Sequence, residues 1–338
     1  MIKRILQLIL IQCLPFILYA QNSAKKTLGH EELVTWKRIN NTQISNDGNC
    51  VTYELKGEEG DGVLRVYTAK NDATAIIPRG ERAKISADSR FVLFRIKPHK
   101  DSVRLLRLKK VKKADLPKDS LGIHDIQTGK TERIPMVKSF KLPEKWAGYV
   151  VYQKEAEEIP AKSKIKKDTT EVKMDKKVKP KKPKKESGAN GTKLILRNLL
   201  TQEEKIFPYV VNYELAKEGQ KILFQTTGND STFLNGVYLH ELAKQRTIAL
   251  HRSKGDYKRM VLDEVGTQAA FLANFDTTNA EIAPFELLYW KNGQDSAQVI
   301  ANNTAAFLEN NWIISEHETP TFSKNGQQLY FGRKPNPF

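Results

Sequence analysis

The sequence predicts an all-β fold, a β-propeller of four-stranded antiparallel blades with about six repeats, the last of them incomplete. Three observations lead to this prediction. A hairpin motif recurs along the chain, alternating apolar and polar positions follow each copy, and no long helical pattern interrupts them. Units of about 40 to 50 residues that recur in this way are typical of propellers and solenoids, and four strands make one propeller blade.

The clearest copy of the motif lies between Gln43 and Leu55 and contains a Ser-x-Asp-Gly turn. An aspartate side chain can bond the backbone two residues further on, and glycine adopts a positive φ without steric cost. Asn46, Asp47 and Gly48 are therefore predicted to form a tight reversal between two strands. The copy reads as a β-hairpin.

Four further copies fit the same template when the apolar residue before the turn is counted as position zero. The five copies start at Ile44, Ile85, Leu215, Leu262 and Phe322. Position four holds a small residue in every copy, namely Gly48, Ser89, Gly219, Gly266 and Gly326. A sixth, degenerate copy is predicted between Phe140 and Tyr152, where Pro143 to Ala147 take the place of the turn.

Two positions of the second strand of each copy predict the buried layer. Position seven is always apolar, being Val51, Val92, Ile222, Ala269 or Leu329. Position nine is always aromatic, being Tyr53, Phe94, Phe224, Phe271 or Phe331. Alternate residues of a strand share one face, so each copy is predicted to bury an aliphatic and an aromatic side chain together.

The connections between the copies give less regular signals. His30 to Ile39 is predicted to be a short helix or turn that covers the end of the first blade, with Trp36 as its buried anchor, because Leu33, Trp36 and Ile39 recur every three residues. Ser102 to Leu108 is predicted to be extended.

Charge is concentrated in one stretch. The chain of 338 residues has a formal net charge of +17, and the 24 residues from Lys162 to Lys185 hold 12 lysines against three acids. Residues 155–190 fall in the longest interval between repeat starts and contain almost no aliphatic side chains, so they are predicted to be a disordered insertion. The stretch reads either as a solvated loop or as an arm with weak contact to anionic surfaces. It has no interleaved aromatics for base stacking, and we predict no nucleic-acid partner.

The first 20 residues have the three parts of a secretory signal peptide. Lys3 and Arg4 precede an apolar run, and the small residue Ala20 precedes Gln21. The chain is therefore predicted to be exported, to the periplasm or beyond, and the propeller to occupy residues 28–338. The alternative is an uncleaved anchor.

No catalytic, cofactor-binding or metal-binding residue is predicted. The sequence has no G-x-S-x-G elbow, no glycine-rich nucleotide loop and no pair of histidines at metal-binding spacing. Because Cys13 lies in the signal segment, Cys50 is the one mature thiol, and we interpret it as a small strand residue.

The order of several phrases resembles the N-terminal propeller of exported bacterial serine peptidases of the prolyl oligopeptidase (S9) family. KDSLGI, from Lys118, and KSFKLPEKW, from Lys138, are the most specific, and the likeness runs from about Leu28 to the end. The resemblance implies a propeller that restricts substrates to short peptides and caps a C-terminal α/β-hydrolase domain holding a Ser, Asp and His triad. No position here matches that triad, so this chain alone would be inactive, as a fragment, a split gene product or an incomplete copy. The alternative is a stand-alone, TolB-like periplasmic propeller that binds a protein or glycan.

Overall fold

The structure is a computed structural model that describes residues 29–156, 191–229, 233–276, 278, 284–309 and 311–336. The predicted signal segment, residues 1–20, and nearly all of the predicted lysine-rich insertion, residues 155–190, lie outside the described residues. Most of the described chain is β-strand, joined by short turns and two α-helices. No helix in these ranges is both long enough and apolar enough to cross a membrane.

The first eight strands form two four-stranded sheets, called unit one and unit two. Unit one contains β1 (Lys37–Ile44), β2 (Cys50–Gly57), β3 (Val63–Thr68) and β4 (Ala73–Pro78). Unit two contains β5 (Gly80–Ile85), β6 (Phe91–Ile96), β7 (Ser120–Asp125) and β8 (Thr131–Ile134). Within each unit, every strand pairs antiparallel with the next strand along the chain. This is the strand order of a propeller blade.

Units three and four share one long strand inside a seven-stranded sheet. The sheet contains β9 (Val137–Lys141), β10 (Tyr149–Lys154), β11 (Thr192–Asn198), β12 (Glu204–Leu215), β13 (Lys221–Asn229), β14 (Leu234–Glu241) and β15 (Arg246–Arg252). The first half of β12 pairs with β11 and its second half with β13, the change falling at Val210. Tyr209 has a positive φ of 59° just before that change. Unit three therefore contains β9, β10, β11 and the first half of β12. Unit four contains the second half of β12 together with β13, β14 and β15.

Unit five is again a four-stranded meander, and unit six is an interrupted hairpin. Unit five contains β16 (Asp256–Leu262), β17 (Gln268–Asn274), β18 (Glu286–Lys291) and β19 (Gln298–Ala301). Unit six contains β20 (Trp312–Ile314), β21 (Thr321–Phe322), β22 (Leu329–Tyr330) and β23 (Arg333–Pro335), with β20 paired to β23 and β21 to β22. Among the described strands, none of units two to six pairs with unit one.

The hairpins predicted from the motif are confirmed, including the degenerate one formed by β9 and β10. In the first turn the backbone N–H of Cys50 donates to Ser45 Oγ at 2.8 Å, and the hydroxyl of Ser45 donates to Asp47 Oδ1 at 2.5 Å. Gly48 adopts the expected positive φ of 74°. The serine and its acceptor two residues on form the same turn in units two and six.

The turn of unit four differs from the first turn in one detail. Gly219 occupies the position of Gly48, but the left-handed residue is Gln220, with a φ of 45°. A Cβ added to Gly219 would lie 1.7 Å from the carbonyl oxygen of Val265. The glycine is needed there because the backbone of the next turn approaches it closely.

Apolar layers lie between successive units, not within them. Five clusters of buried side chains each join two units that follow one another in the chain. Position seven and position nine face the preceding unit: Val92 and Phe94 pack with Cys50 of unit one, and Ala269 and Phe271 pack with Leu223 of unit four. Each pair is close to fully buried, which confirms the predicted layer in these units.

Unit one departs from that pattern. Val51 and Tyr53 are only half-buried, and the buried side chains of β2 are those of Cys50, Thr52 and Glu54. The prediction that every copy buries positions seven and nine is wrong here, and it also fails in unit six, where Leu329 and Phe331 are only partly buried. In units two and five these positions pack against the preceding unit. No described unit precedes unit one, so Val51 and Tyr53 have no neighbouring sheet to pack against.

Two further local predictions are wrong in part or in whole. The predicted short helix is present as α1 (His30–Thr35), but it ends before Trp36, which is 55% exposed and is not its buried anchor, and Ile39 lies in β1 and is 63% exposed. Nothing in the described chain packs over Trp36 to bury it as an anchor. The stretch predicted to be extended is instead the helix α2 (Lys100–Leu108), in which leucine and arginine are strong helix formers.

The lysine-rich insertion interrupts a hairpin. Its flanking strands β10 and β11 pair directly, with Tyr149 opposite Asn198 and Gln153 opposite Leu194. Two adjacent strands of one sheet can therefore be connected by this long segment without any change in the pairing of unit three.

Candidate functional site

The motif turns of successive units contact one another. Asn46 donates to the carbonyl of Ala87 at 3.0 Å, linking the turns of units one and two. The later links are Lys145 N to Lys217 O at 3.1 Å, Glu218 N to Glu264 O at 2.9 Å and Gln268 Nε2 to Gly326 O at 2.9 Å. The turns of units three to six are thus bonded in chain order.

A cavity of about 700 Å³ opens where the first four of these turns approach one another. We call it the mouth. It is lined by Asn46, Lys84, Ile85, Ala87, residues 140–144 and residues 214–217. These residues come from the ends of β5, β9 and β12 and from the turns that follow β1, β5, β9 and β12. The mouth therefore belongs to four units at once.

Most of the mouth's charges are paired across units. Lys141 Nζ lies 2.7 Å from Glu214 Oε2 and also donates to the carbonyl of Tyr213 at 2.9 Å. Lys217 lies 3.4 Å from both Glu144 and Glu264, and hydrogen bonds to these two carboxylates raise its pKa. The pairs hold the turns together and leave Lys84 as the one mouth lysine for which the described residues show no carboxylate within 4.0 Å.

Trp146 anchors the degenerate turn beside the mouth. Its ring is buried, and its indole N–H donates to the carbonyl of Ala216 in the next unit at 2.9 Å. The ring also packs with Tyr149 at a centroid distance of 6.0 Å. A buried tryptophan with a satisfied N–H is a structural anchor.

Buried polar side chains also connect unit one to unit two and unit three to unit four. Glu54, 2% exposed, accepts hydrogen bonds from the backbone N–H of Arg82 at 2.5 Å and, within unit one, from Asn41 at 2.9 Å. Gln153 donates to the carbonyl of Val210 at 2.7 Å. The Glu54–Arg82 and Gln153–Val210 contacts each join the second strand of one unit to the first strand of the next.

The histidines have structural partners. His124 and His240 are buried at the same place in units two and four, and each bonds a threonine directly opposite, Thr131 at 2.8 Å and Thr247 at 3.0 Å. Arg197 occupies the same place in unit three, opposite Glu204. This spacing of seven residues was not recognised in the sequence, although His-x₆-Thr occurs in both units and could have been found.

The burial of these groups sets their protonation. Burial lowers the pKa of His240 to about 4 and lowers that of His124, so both rings are neutral at neutral pH. Burial raises the pKa of Cys50 to about 11, which keeps the thiol protonated and unreactive. The described residues contain no cluster of three or more metal-ligating side chains.

No protein-family model matches the sequence, and no curated protein matches it either. Solved structures of similar shape include a prolyl endopeptidase, at 11% identity and a TM-score of 0.43, over 88% of this chain and 42% of that one. The β-propeller domain of the trilobed protease from Pyrococcus furiosus is similar at 10% identity and a TM-score of 0.40, over 89% and 84%.

TolB from Acinetobacter baumannii is similar at 10% identity and a TM-score of 0.36, over 87% of this chain and 72% of that one. The chain spans less than half the length of the prolyl endopeptidase. The fold assignment itself stands on the sheets and layers described above.

Proposed function

We propose that the chain is the propeller portion of an S9-type serine peptidase, that it admits short peptides to a hydrolase domain, and that it performs no hydrolysis itself. The observation that carries this proposal is the mouth, to which four units contribute. A propeller brings the inner strands of its blades to one axis, and β5, β9 and β12 are the first strands of their units.

The shape of the mouth fits a gate. On its rim, the turns of units one and two are joined by the Asn46 side chain, and those of units three and four by a backbone hydrogen bond and by ion pairs such as Lys145 with Glu218. Turns held in this way limit the opening, which would pass an extended peptide and exclude a folded protein. The phrases that resemble the S9 family lie in units two and three and include the turn beside the mouth.

The first experiment measures peptide hydrolysis. The purified chain should show no turnover of short chromogenic peptides, since no serine triad is recognised in it. Turnover that a serine-directed reagent abolishes would contradict the proposal.

The second experiment reads the DNA after the codon for Phe338. A reading frame that continues into a G-x-S-x-G elbow is expected. Expressed together, the two parts should cleave short peptides, and a bulky label on a Lys84→Cys variant should slow that cleavage by narrowing the mouth. A frame that stops, with a chain that is monomeric and unfolds in one cooperative transition, would instead favour the stand-alone binding propeller.

A further inference from the structure

A second cavity, also of about 700 Å³, lies away from the mouth, between helix α2 and the facing edges of units one and two. We call it the side cavity. Asp61 of unit one accepts a hydrogen bond from the backbone N–H of Lys100 at 3.1 Å and lies 3.4 Å from His99. The start of α2 is thereby fixed to unit one, although the helix itself is inserted in unit two.

The acidic side chains that line the side cavity already have partners. Glu54 is held by Arg82 and Asn41, and Asp61 by the start of α2. The two others share cations, because Lys97 lies 3.6 Å from Glu81 and 2.9 Å from Asp119. None of the four carboxylates is left over to neutralise the rest of the wall.

Basic residues outnumber acidic residues in the wall of the side cavity. Six basic residues line the side cavity without a carboxylate oxygen within 4.0 Å among the described residues: Arg79, Lys100, Arg104, Arg107, Lys113 and Lys118. Arg104 and Arg107 are three residues apart on α2, so their side chains lie on one face of the helix. A pair of guanidinium groups in this arrangement suits carboxylates, which arginine binds through two parallel hydrogen bonds.

The same cavity has an apolar part. Val63, Val103, Leu108 and Leu116 line it beside the arginines, and Leu108 is 70% exposed at the end of α2. A volume of this size is in the usual range for a bound organic ligand, ~300–1,000 Å³, and exceeds what an inorganic anion fills.

We propose that the side cavity binds an acidic peptide segment, in which carboxylates engage Arg104 and Arg107 and a neighbouring aliphatic side chain packs on Val103 and Leu108. Such a ligand supplies the negative charge that the wall lacks and an aliphatic side chain that covers the apolar part of the wall. This site is independent of the mouth, and the proposal does not rest on the function assigned to the mouth.

The test measures binding of the fluorescein-labelled tripeptide Glu-Leu-Glu to the purified full chain by fluorescence anisotropy. The variant R104Q/R107Q should bind about tenfold more weakly or worse, because two charge-assisted pairs are lost. The matched control is K109Q/K110Q, which removes the same charge from the end of the same helix but outside the cavity lining. It should bind within about twofold of the unaltered chain, since exposed charges contribute little.

Two more arms sharpen the assignment. The neutral tripeptide Gln-Leu-Gln should fail to compete, and R104K/R107K, which keeps the charge without the planar fork, should bind with intermediate affinity. The lysine-rich stretch 162–185 is present in every protein, so the difference between the two double variants isolates the cavity. Equal melting temperatures of these variants would show that all of them fold.

Several results would overturn the proposal. They are an unaltered chain that does not bind Glu-Leu-Glu, equal losses in the two double variants, or inorganic phosphate that displaces the peptide as well as unlabelled Glu-Leu-Glu does. Binding to vesicles of phosphatidylcholine with anionic phosphatidylglycerol, lost in R104Q/R107Q while the peptide does not bind, would assign the cavity to a membrane surface instead.

Discussion

Unit one and unit five use the same hairpin template and bury it to different extents. Phe271 of unit five is fully buried against Leu223 of unit four, whereas Tyr53, at the same position of unit one, is half-buried. The template therefore does not decide burial by itself. A preceding unit must supply the other half of the layer, so stability in this fold comes mainly from contacts between neighbours.

We expect the largest effect from a substitution that removes an aromatic side chain from the layer between two units. Phe271→Ala should lower the free energy of unfolding by about 3 to 5 kcal/mol, since it leaves a cavity among fully buried side chains. Tyr53→Ala should cost less than half as much. Urea denaturation followed by tryptophan fluorescence measures both. Equal losses at the two positions would contradict the view that the preceding unit makes the layer.

A second prediction concerns the buried polar residue on the third strand of unit three. This residue, Arg197, is 7% exposed and lies 2.7 Å from Glu132 of unit two and 3.2 Å from Glu204 of its own unit. Arg197→Leu removes the charge-assisted hydrogen bonds of a buried guanidinium but leaves both carboxylates partly in solvent, so it should cost about 2 kcal/mol in urea unfolding. Arg38→Gln in unit one removes an exposed ion pair with Glu58 and should cost less than about 1 kcal/mol. A larger loss for Arg38→Gln would reverse the comparison.

His240 of unit four occupies the position that corresponds to Arg197, and it predicts that the stability of the chain depends on pH. Burial holds the pKa of His240 at about 4, below its ordinary value of 6.5. Between these values the unfolded chain binds more protons, so stability rises with pH and is lost as the pH falls from 6.5 to 4. His240→Gln should flatten the slope there by up to ~1.4 kcal/mol per pH unit. Urea titrations across this range test it, with His30→Gln on the exposed helix α1 as control. An unchanged slope in His240→Gln would contradict the assignment.

We expect the smallest effect from a substitution in the mouth, and this substitution also distinguishes the mouth from the side cavity. Lys141 of the mouth is paired with Glu214, but both side chains are more than a third exposed. Lys141→Gln should change the free energy of unfolding by less than about 1 kcal/mol. It should also leave binding of Glu-Leu-Glu unaltered, because that binding is assigned to the side cavity. Weaker peptide binding in Lys141→Gln would move the acidic-peptide site to the mouth.

The sequence predicted the hairpins correctly because their signal is local. Ser45, Asp47 and Gly48 form the turn by contacts within six residues, and the same residue types recur at the same spacing in later copies. Burial was predicted less well, as Tyr53 and Trp36 show. Whether an apolar side chain is covered depends on a neighbouring unit, and no local pattern contains that information.

The two cavities could not be read from the sequence for the same reason. The mouth combines residues that are far apart in the chain, such as Asn46 and Lys217. The side cavity depends on α2, most of which, Ser102 to Leu108, was predicted to be extended. Its charge excess was hidden by the much larger excess between Lys162 and Lys185. Only the pairing of each carboxylate in space shows which basic residues are left without one.

The central claim is that the units stack in chain order around a common axis, and zero-length cross-linking tests it most directly. A carbodiimide couples a lysine amine to a carboxylate only when the two are in contact. Mass spectrometry of the monomeric, cross-linked chain should find Lys145 joined to Glu218 and Lys217 joined to Glu264, the pairs that link the turns of units three, four and five. Both links should disappear in urea. A native chain in which neither link forms, or cross-links that join the turns of units one and five, would contradict the stacking order.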